Sequence, residues 1–153
     1  MSGPRTCALV FLLVGCTDVT NAPATDPSTT LSETVFVCDV QPVLITQCSF
    51  NACHGKTDSA LRVFSLGKLR AKTAMDQTAA NAPLTTDETH ANFLSASAFA
   101  AYGISPDDNF LLRKPLPAPA GGYEHLGGAV FSGTNDSGYA AIERWLQGAT
   151  TCN

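Results

Sequence analysis

Apolar residues along this chain fall into short helical stripes, separated by long polar or Pro/Gly-rich stretches, and no region sustains strand-like alternation. The pattern predicts a mostly α domain with long loops. The clearest element is "GYAAIERWLQ", where Tyr139, Ile142, Trp145 and Leu146 share a face. Asp136 or Ser137 can cap it and Gly148 follows it. Residues 87–102 open with acids, place Phe93, Leu94, Ala98 and Ala101 on one side, and meet a stop at Gly103. "CDVQPVLITQC" predicts a short helix with Pro42 and Asp39 in its first turn, and Val40, Val43, Leu44 and then Cys48 on one face. Residues 59–72 carry Leu61, Phe64 and Leu69 but also Gly67, which predicts a helix or an extended segment. Residues 73–86 read as loop, "SPDDNFLLRKP" as a turn with a short apolar segment, and residues 115–128 as a Pro/Gly-rich loop. There is no internal repeat.

The ends of the pattern set the organisation. Arg5 precedes the apolar run "CALVFLLV", which is too short to span a bilayer and has the form of a secretory segment. The run ends in "LVGC", which resembles a bacterial lipobox. Residues 1–15 are therefore expected to be a lipoprotein signal peptide, and Cys16 the lipidated mature N-terminus. Residues 16–34, rich in Thr, Pro, Asp and Ser, cannot bury enough surface to order themselves and predict a disordered tether. Residues 35–153 are left as one domain, since 153 residues suffice for one core and not two. The expected location is the bacterial cell envelope, lipid-anchored and facing the periplasm or the cell surface. A net charge of −4 offers no basic field for nucleic acid.

Removal of the signal peptide and lipidation of Cys16 leave Cys38, Cys48, Cys53 and Cys152, an even set in an oxidising compartment. Two of them stand in "CSFNACHG". Attachment of haem c needs two thiols to add to its vinyl groups and a histidine directly after the second thiol to bind iron. Cys53-His54 meets that need, although four residues rather than two separate Cys48 from Cys53. A Cys48–Cys53 disulfide is equally good chemistry outside the cytoplasm. A zinc clip from Cys48, Cys53, His54 and one distant histidine is a third arrangement, cramped for a tetrahedral ion. The motif alone leaves all three open.

The order of four segments, "VQPVLITQCSFNACHG", "NFLLRKP", "HLGG" and "GYAAIERWLQGA", resembles the cytochrome-c-like domains of myxobacteria, planctomycetes and related bacteria. The resemblance covers about residues 35–150. It implies a cytochrome-c-like helical domain around one covalent haem c, attached through Cys48 and Cys53, with His54 bound to iron. It also places a histidine in the loop that holds His125, making that residue the expected sixth ligand. Met75, in a polar stretch without a following proline, and His90, beside two acids, are weaker candidates. First and last helices pack together in such folds, so a Cys38–Cys152 disulfide would staple the two ends. Arg113 and Lys114 could neutralise haem propionates or be solvated, while Tyr139 and Trp145 are expected to pack the last helix.

Two imidazoles on one iron leave no open coordination position, and no nucleophile with a base and an orienting partner is apparent. The expected function is electron transfer by a membrane-anchored monohaem lipoprotein with an unidentified redox partner, and not an enzyme activity. The alternative is a haem-free structural or binding lipoprotein stapled by two disulfides.

Overall fold

The computed structural model describes residues 31–71, 81–100 and 105–153. Among these residues the protein is mostly helical, with long loops and no strand. The expectations for the signal peptide, for Cys16, for Met75 and for the Gly103 stop lie outside the described residues.

The first helix, α1, is a continuous run over residues 33–48. It alternates α turns at Glu33–Val35 and Gln41–Val43 with wider π turns at Phe36–Val40 and Leu44–Cys48. It begins earlier than the apolar pattern predicts and takes in Glu33 and Thr34. Ser32 is the reason: its hydroxyl accepts the Val35 amide at 3.2 Å, while Glu33 places an acid in the first turn. Pro42 is therefore interior rather than initial. It has no N–H to give, and the amide of Gln41 just before it bonds back to Phe36, one residue further than in an α turn.

The second helix, α2, is Thr86–Ala100. Its start is a reciprocal capping box: the Glu88 amide donates to the Thr85 hydroxyl at 3.2 Å and the Thr85 amide to the Glu88 carboxylate at 3.0 Å. The buried side is Glu88, Asn92, Phe93, Ala96 and Ser97, whereas Leu94 and Ala98, expected to face inward, are exposed. Two polar residues occupy the inner face because neighbouring segments saturate them. Arg70 grips the Glu88 carboxylate with two N–H groups at 2.9 and 2.8 Å, and the Ala71 amide adds a third bond at 2.8 Å. Asn92 accepts the Phe64 amide at 2.7 Å and donates to the Phe64 carbonyl at 2.9 Å. This amide pairing holds residues 61–65 in an irregular extended course, so no helix forms at 59–71.

A 3-10 turn at Pro106–Asp108 leads into the short α3, Phe110–Arg113, capped by Asn109. A further 3-10 turn at Ala118–Ala120 follows. The last helix, α4, is Ser137–Leu146, with Asp136 accepting the Gly138 amide at 2.9 Å; such a cap is worth about 1 kcal/mol. Tyr139, Ile142 and Trp145 are buried as the stripe predicts.

Phe36 of α1, Phe93 of α2 and Trp145 of α4 meet as an aromatic trio, with ring centres 5.4 to 6.2 Å apart. The Trp145 indole donates to the Ser32 carbonyl at 3.0 Å, so burial leaves its polar atom satisfied. Beside this core, Arg144 pairs with Asp39 and a Cys38–Cys152 disulfide joins the start of α1 to the tail after α4. The core thus fixes α1 at its N-terminal half and leaves its other end, at Cys48, to carry the site.

Candidate functional site

α1 ends at Cys48, and the chain curls back on that end. The His54 amide donates to the Cys48 carbonyl at 3.1 Å, and the amides of Cys53 and Gly55 both donate to the Phe50 carbonyl, at 2.8 and 3.0 Å. The four-residue spacing between the thiols is one compact turn. Gly55 closes it, because a Cβ there would stand 2.0 Å from the Ser49 carbonyl oxygen. Lys68 caps the same helix end, donating to the Ser49 hydroxyl at 2.9 Å while lying 4.0 Å above the Phe50 ring.

The turn faces a cavity of about 680 Å³, within the usual range for a small-molecule or cofactor site. Cys48, Cys53, His54 and His125 all line it. Its apolar wall comes from every described helix: Leu44 of α1, Phe99 of α2, Phe110 and Leu111 of α3, and Ile142 of α4, with Phe131 from a loop. Four residues expected from sequence to act together are thus brought to one place. His90 is elsewhere, its ring Nδ1 2.9 Å from the Glu33 carboxylate on the surface. Arg113 is not on the wall; it bonds to Asp108 and the Gly121 carbonyl and stacks over Tyr123. Lys114 is on the wall, and donates to the Glu124 carbonyl at 3.0 Å.

Both thiols are free, so Cys48 and Cys53 are not joined to each other in this structure. Burial, and then the neighbouring Cys53, push the Cys48 thiol up to about 11, so it is held protonated and uncharged. Cys53 is half-buried. No group of three or more His, Cys, Asp or Glu residues converges as a metal cage among the described residues.

The two imidazoles carry the most specific geometry. His54 Nδ1 lies 2.9 Å from the Leu61 carbonyl oxygen, and His125 Nδ1 lies 2.9 Å from the Gly128 carbonyl oxygen. A carbonyl only accepts, so each Nδ1 carries the hydrogen and each neutral ring keeps its lone pair on Nε2. Metal-bound histidines are held in this way, by a second nitrogen tied to a backbone or carboxylate oxygen. Burial lowers the His54 pKa below its ordinary value, against the opposing Leu61 bond, and the adjacent His125 lowers it further, which favours the neutral ring. The ring centres are 6.0 Å apart and the planes differ by 13°.

The loop bearing His125 is held in place by backbone bonds and two glycines. It is pinned at its base by the Tyr123 amide on the Arg113 carbonyl at 2.9 Å and the Val130 amide on the Pro115 carbonyl at 2.8 Å. Gly128, at φ +73°, turns the chain so that its amide and carbonyl both reach His125. Gly127 lies against the imidazole, and a Cβ there would come within 3.2 Å of Cε1. The residues fit a haem c: two thiols, two Nε2 lone pairs and an apolar wall on one cavity, with Lys56 and Lys114 as cations on its lining.

Sequence reasoning missed Lys56, Ser59, the Leu61 carbonyl and the phenylalanines of the cavity wall. Lys56 directly follows "CHG", which could have drawn attention to it. Ser59 and Leu61 carry no spacing signal, because their role depends on how 59–63 folds back beside His54, whose carbonyl accepts the Val63 amide at 2.8 Å. No family model, curated protein or solved structure matches this chain.

Proposed function

We propose that this protein is a membrane-anchored monohaem c-type cytochrome-like lipoprotein that carries electrons. The observation that carries the reading is the pair His54 and His125. They come from distant parts of the chain, each ties Nδ1 to a backbone carbonyl, and their ring centres are 6.0 Å apart in a cavity also lined by both free thiols. Cys48 and Cys53 are the residues that would hold the group covalently, and His54 and His125 those that would ligate its iron. When bound, haem supplies a one-electron couple.

The chain's own residues do the rest. Leu61 and Gly128 fix the tautomer and orientation of the two rings through their carbonyls. Leu44, Phe99, Leu111, Phe131 and Ile142 give the cavity an apolar wall. Lys56 and Lys114 offer positive charge to acidic substituents. If His54 and His125 both ligated the iron, no position would be left for a small ligand, so electron transfer would be favoured over ligand chemistry, and two nitrogen donors would favour a low potential compared with a thioether donor. In this reading the helical core is a cytochrome-c-like domain, and lipid on Cys16 tethers it to the envelope membrane within reach of a redox partner.

The test is the spectrum of the full chain produced together with c-type maturation factors. Six-coordinate low-spin iron in both electronic and electron-paramagnetic spectra supports the reading. High-spin iron in the purified protein contradicts the assignment of His125.

A further inference from the structure

The two histidines are held unequally. His125 Nδ1 has the Gly128 carbonyl, in an exposed loop. His54 Nδ1 has two oxygens, the Leu61 carbonyl at 2.9 Å and the Ser59 hydroxyl at 3.1 Å. The Ser59 hydroxyl in turn donates to the same Leu61 carbonyl at 2.6 Å. Ser59 is half-buried and lines the cavity. Its hydrogen is spent on the carbonyl, so towards His54 it can only accept.

From this triangle we infer that Ser59 is a positioning residue that sets the electron-donating strength of His54. A backbone carbonyl that accepts one hydrogen bond from a hydroxyl has less electron density to offer a second donor. The Ser59 hydroxyl therefore weakens the pull of Leu61 on the Nδ1 hydrogen and, as the longer contact at 3.1 Å against 2.9 Å, returns less through its own oxygen, so the His54 ring is less basic at Nε2. Outer partners of a ligating histidine tune its basicity in this way. Without the hydroxyl, the His54 hydrogen rests on Leu61 alone, the ring gains imidazolate character, and the oxidised form of a bound iron is stabilised. The hydroxyl thus holds the potential up on the His54 side, and among the described residues His125 has no counterpart to it. The inference rests on the haem reading, because a potential requires the group.

Wild type, Ser59→Ala and Ser59→Thr are compared as full chains, both haem-loaded and haem-free. The first readout is the midpoint potential from a spectroelectrochemical titration. Ser59→Ala is expected to shift it downward, and Ser59→Thr, which keeps the hydroxyl, to stay near wild type. The second readout is the ¹⁵N signal of the His54 ring in haem-free protein at pH 8, where the imidazole is neutral. All three chains should show the Nδ1–H form, with the Nδ1 signal displaced only in Ser59→Ala. An unchanged potential in Ser59→Ala at wild-type haem content overturns the inference and leaves the haem reading standing. Absence of haem from all three chains defeats that reading instead. In that case an identical Nδ1 signal in wild type and Ser59→Ala also overturns the role of the hydroxyl.

Discussion

At the scale of single residues, the proposed function divides the site into thiols that would attach a haem and imidazoles that would ligate it. Cys53 is half-buried on the cavity wall and His54 directly follows it, so the turn that presents one presents the other. Cys53→Ala is expected to lose most of the haem that survives denaturation, as read by in-gel haem stain. His125→Ala is expected to keep covalent haem but yield high-spin or solvent-ligated iron, as read from the electronic spectrum. Low-spin iron in His125→Ala would assign the sixth ligand to another residue. Cys48, Cys53 and His54 stood out in the sequence because haem attachment would need two thiols and an adjoining histidine, and the structure puts all three on one cavity wall. His125 was legible only through the resemblance, since a histidine between a glutamate and a leucine has no signature of its own. Ser59 was not legible, because nothing in "KTDSAL" says that a hydroxyl will sit between an imidazole and a carbonyl.

At the scale of elements, the sequence pattern served best where apolar spacing alone decides the structure. α4 was expected from its stripe, cap and following glycine, and it forms with Tyr139, Ile142 and Trp145 inward. α2 was located closely, but its inner face was misassigned, because Glu88 and Asn92 are polar residues buried by distant partners. Pattern reading sends polar residues outward and cannot know that Arg70 or Phe64 will satisfy them. α1 was begun too late, since its true start depends on Ser32 and not on apolar residues. Glu88 gives this scale its prediction. Its hydrogen bonds from Arg70, and then from Ala71 and Thr85, outweigh burial and hold its carboxyl at about 2 against an ordinary value of 4.5. The folded pKa is depressed, so the stabilisation is complete above about pH 4.5 and is lost as pH falls towards 2. Urea midpoints of the wild type should drop through that window, and those of Glu88→Gln should drop less. Parallel pH profiles for the two would contradict the role given to Glu88.

At the scale of the whole molecule, one end of α1 is bound into the aromatic core and the other delivers the thiol turn to the cavity. The Cys38–Cys152 disulfide spans 114 residues and closes nearly all of the described chain. In the chain-entropy account a loop of that size stabilises by up to about 4–5 kcal/mol. The Asp39–Arg144 pair and the Trp145–Ser32 bond join the same ends without it. Cys38→Ser with Cys152→Ser should therefore lower the urea midpoint clearly and still leave a folded protein; an unchanged midpoint would show that the bridge contributes nothing. The central claim concerns sulfur rather than stability, and intact mass spectrometry of the mature chain, made with c-type maturation factors and then denatured, tests it most directly. The account predicts a polypeptide heavier by one haem, with neither Cys48 nor Cys53 available to alkylation. A haem-free mass with those two cysteines bridged to each other would contradict it.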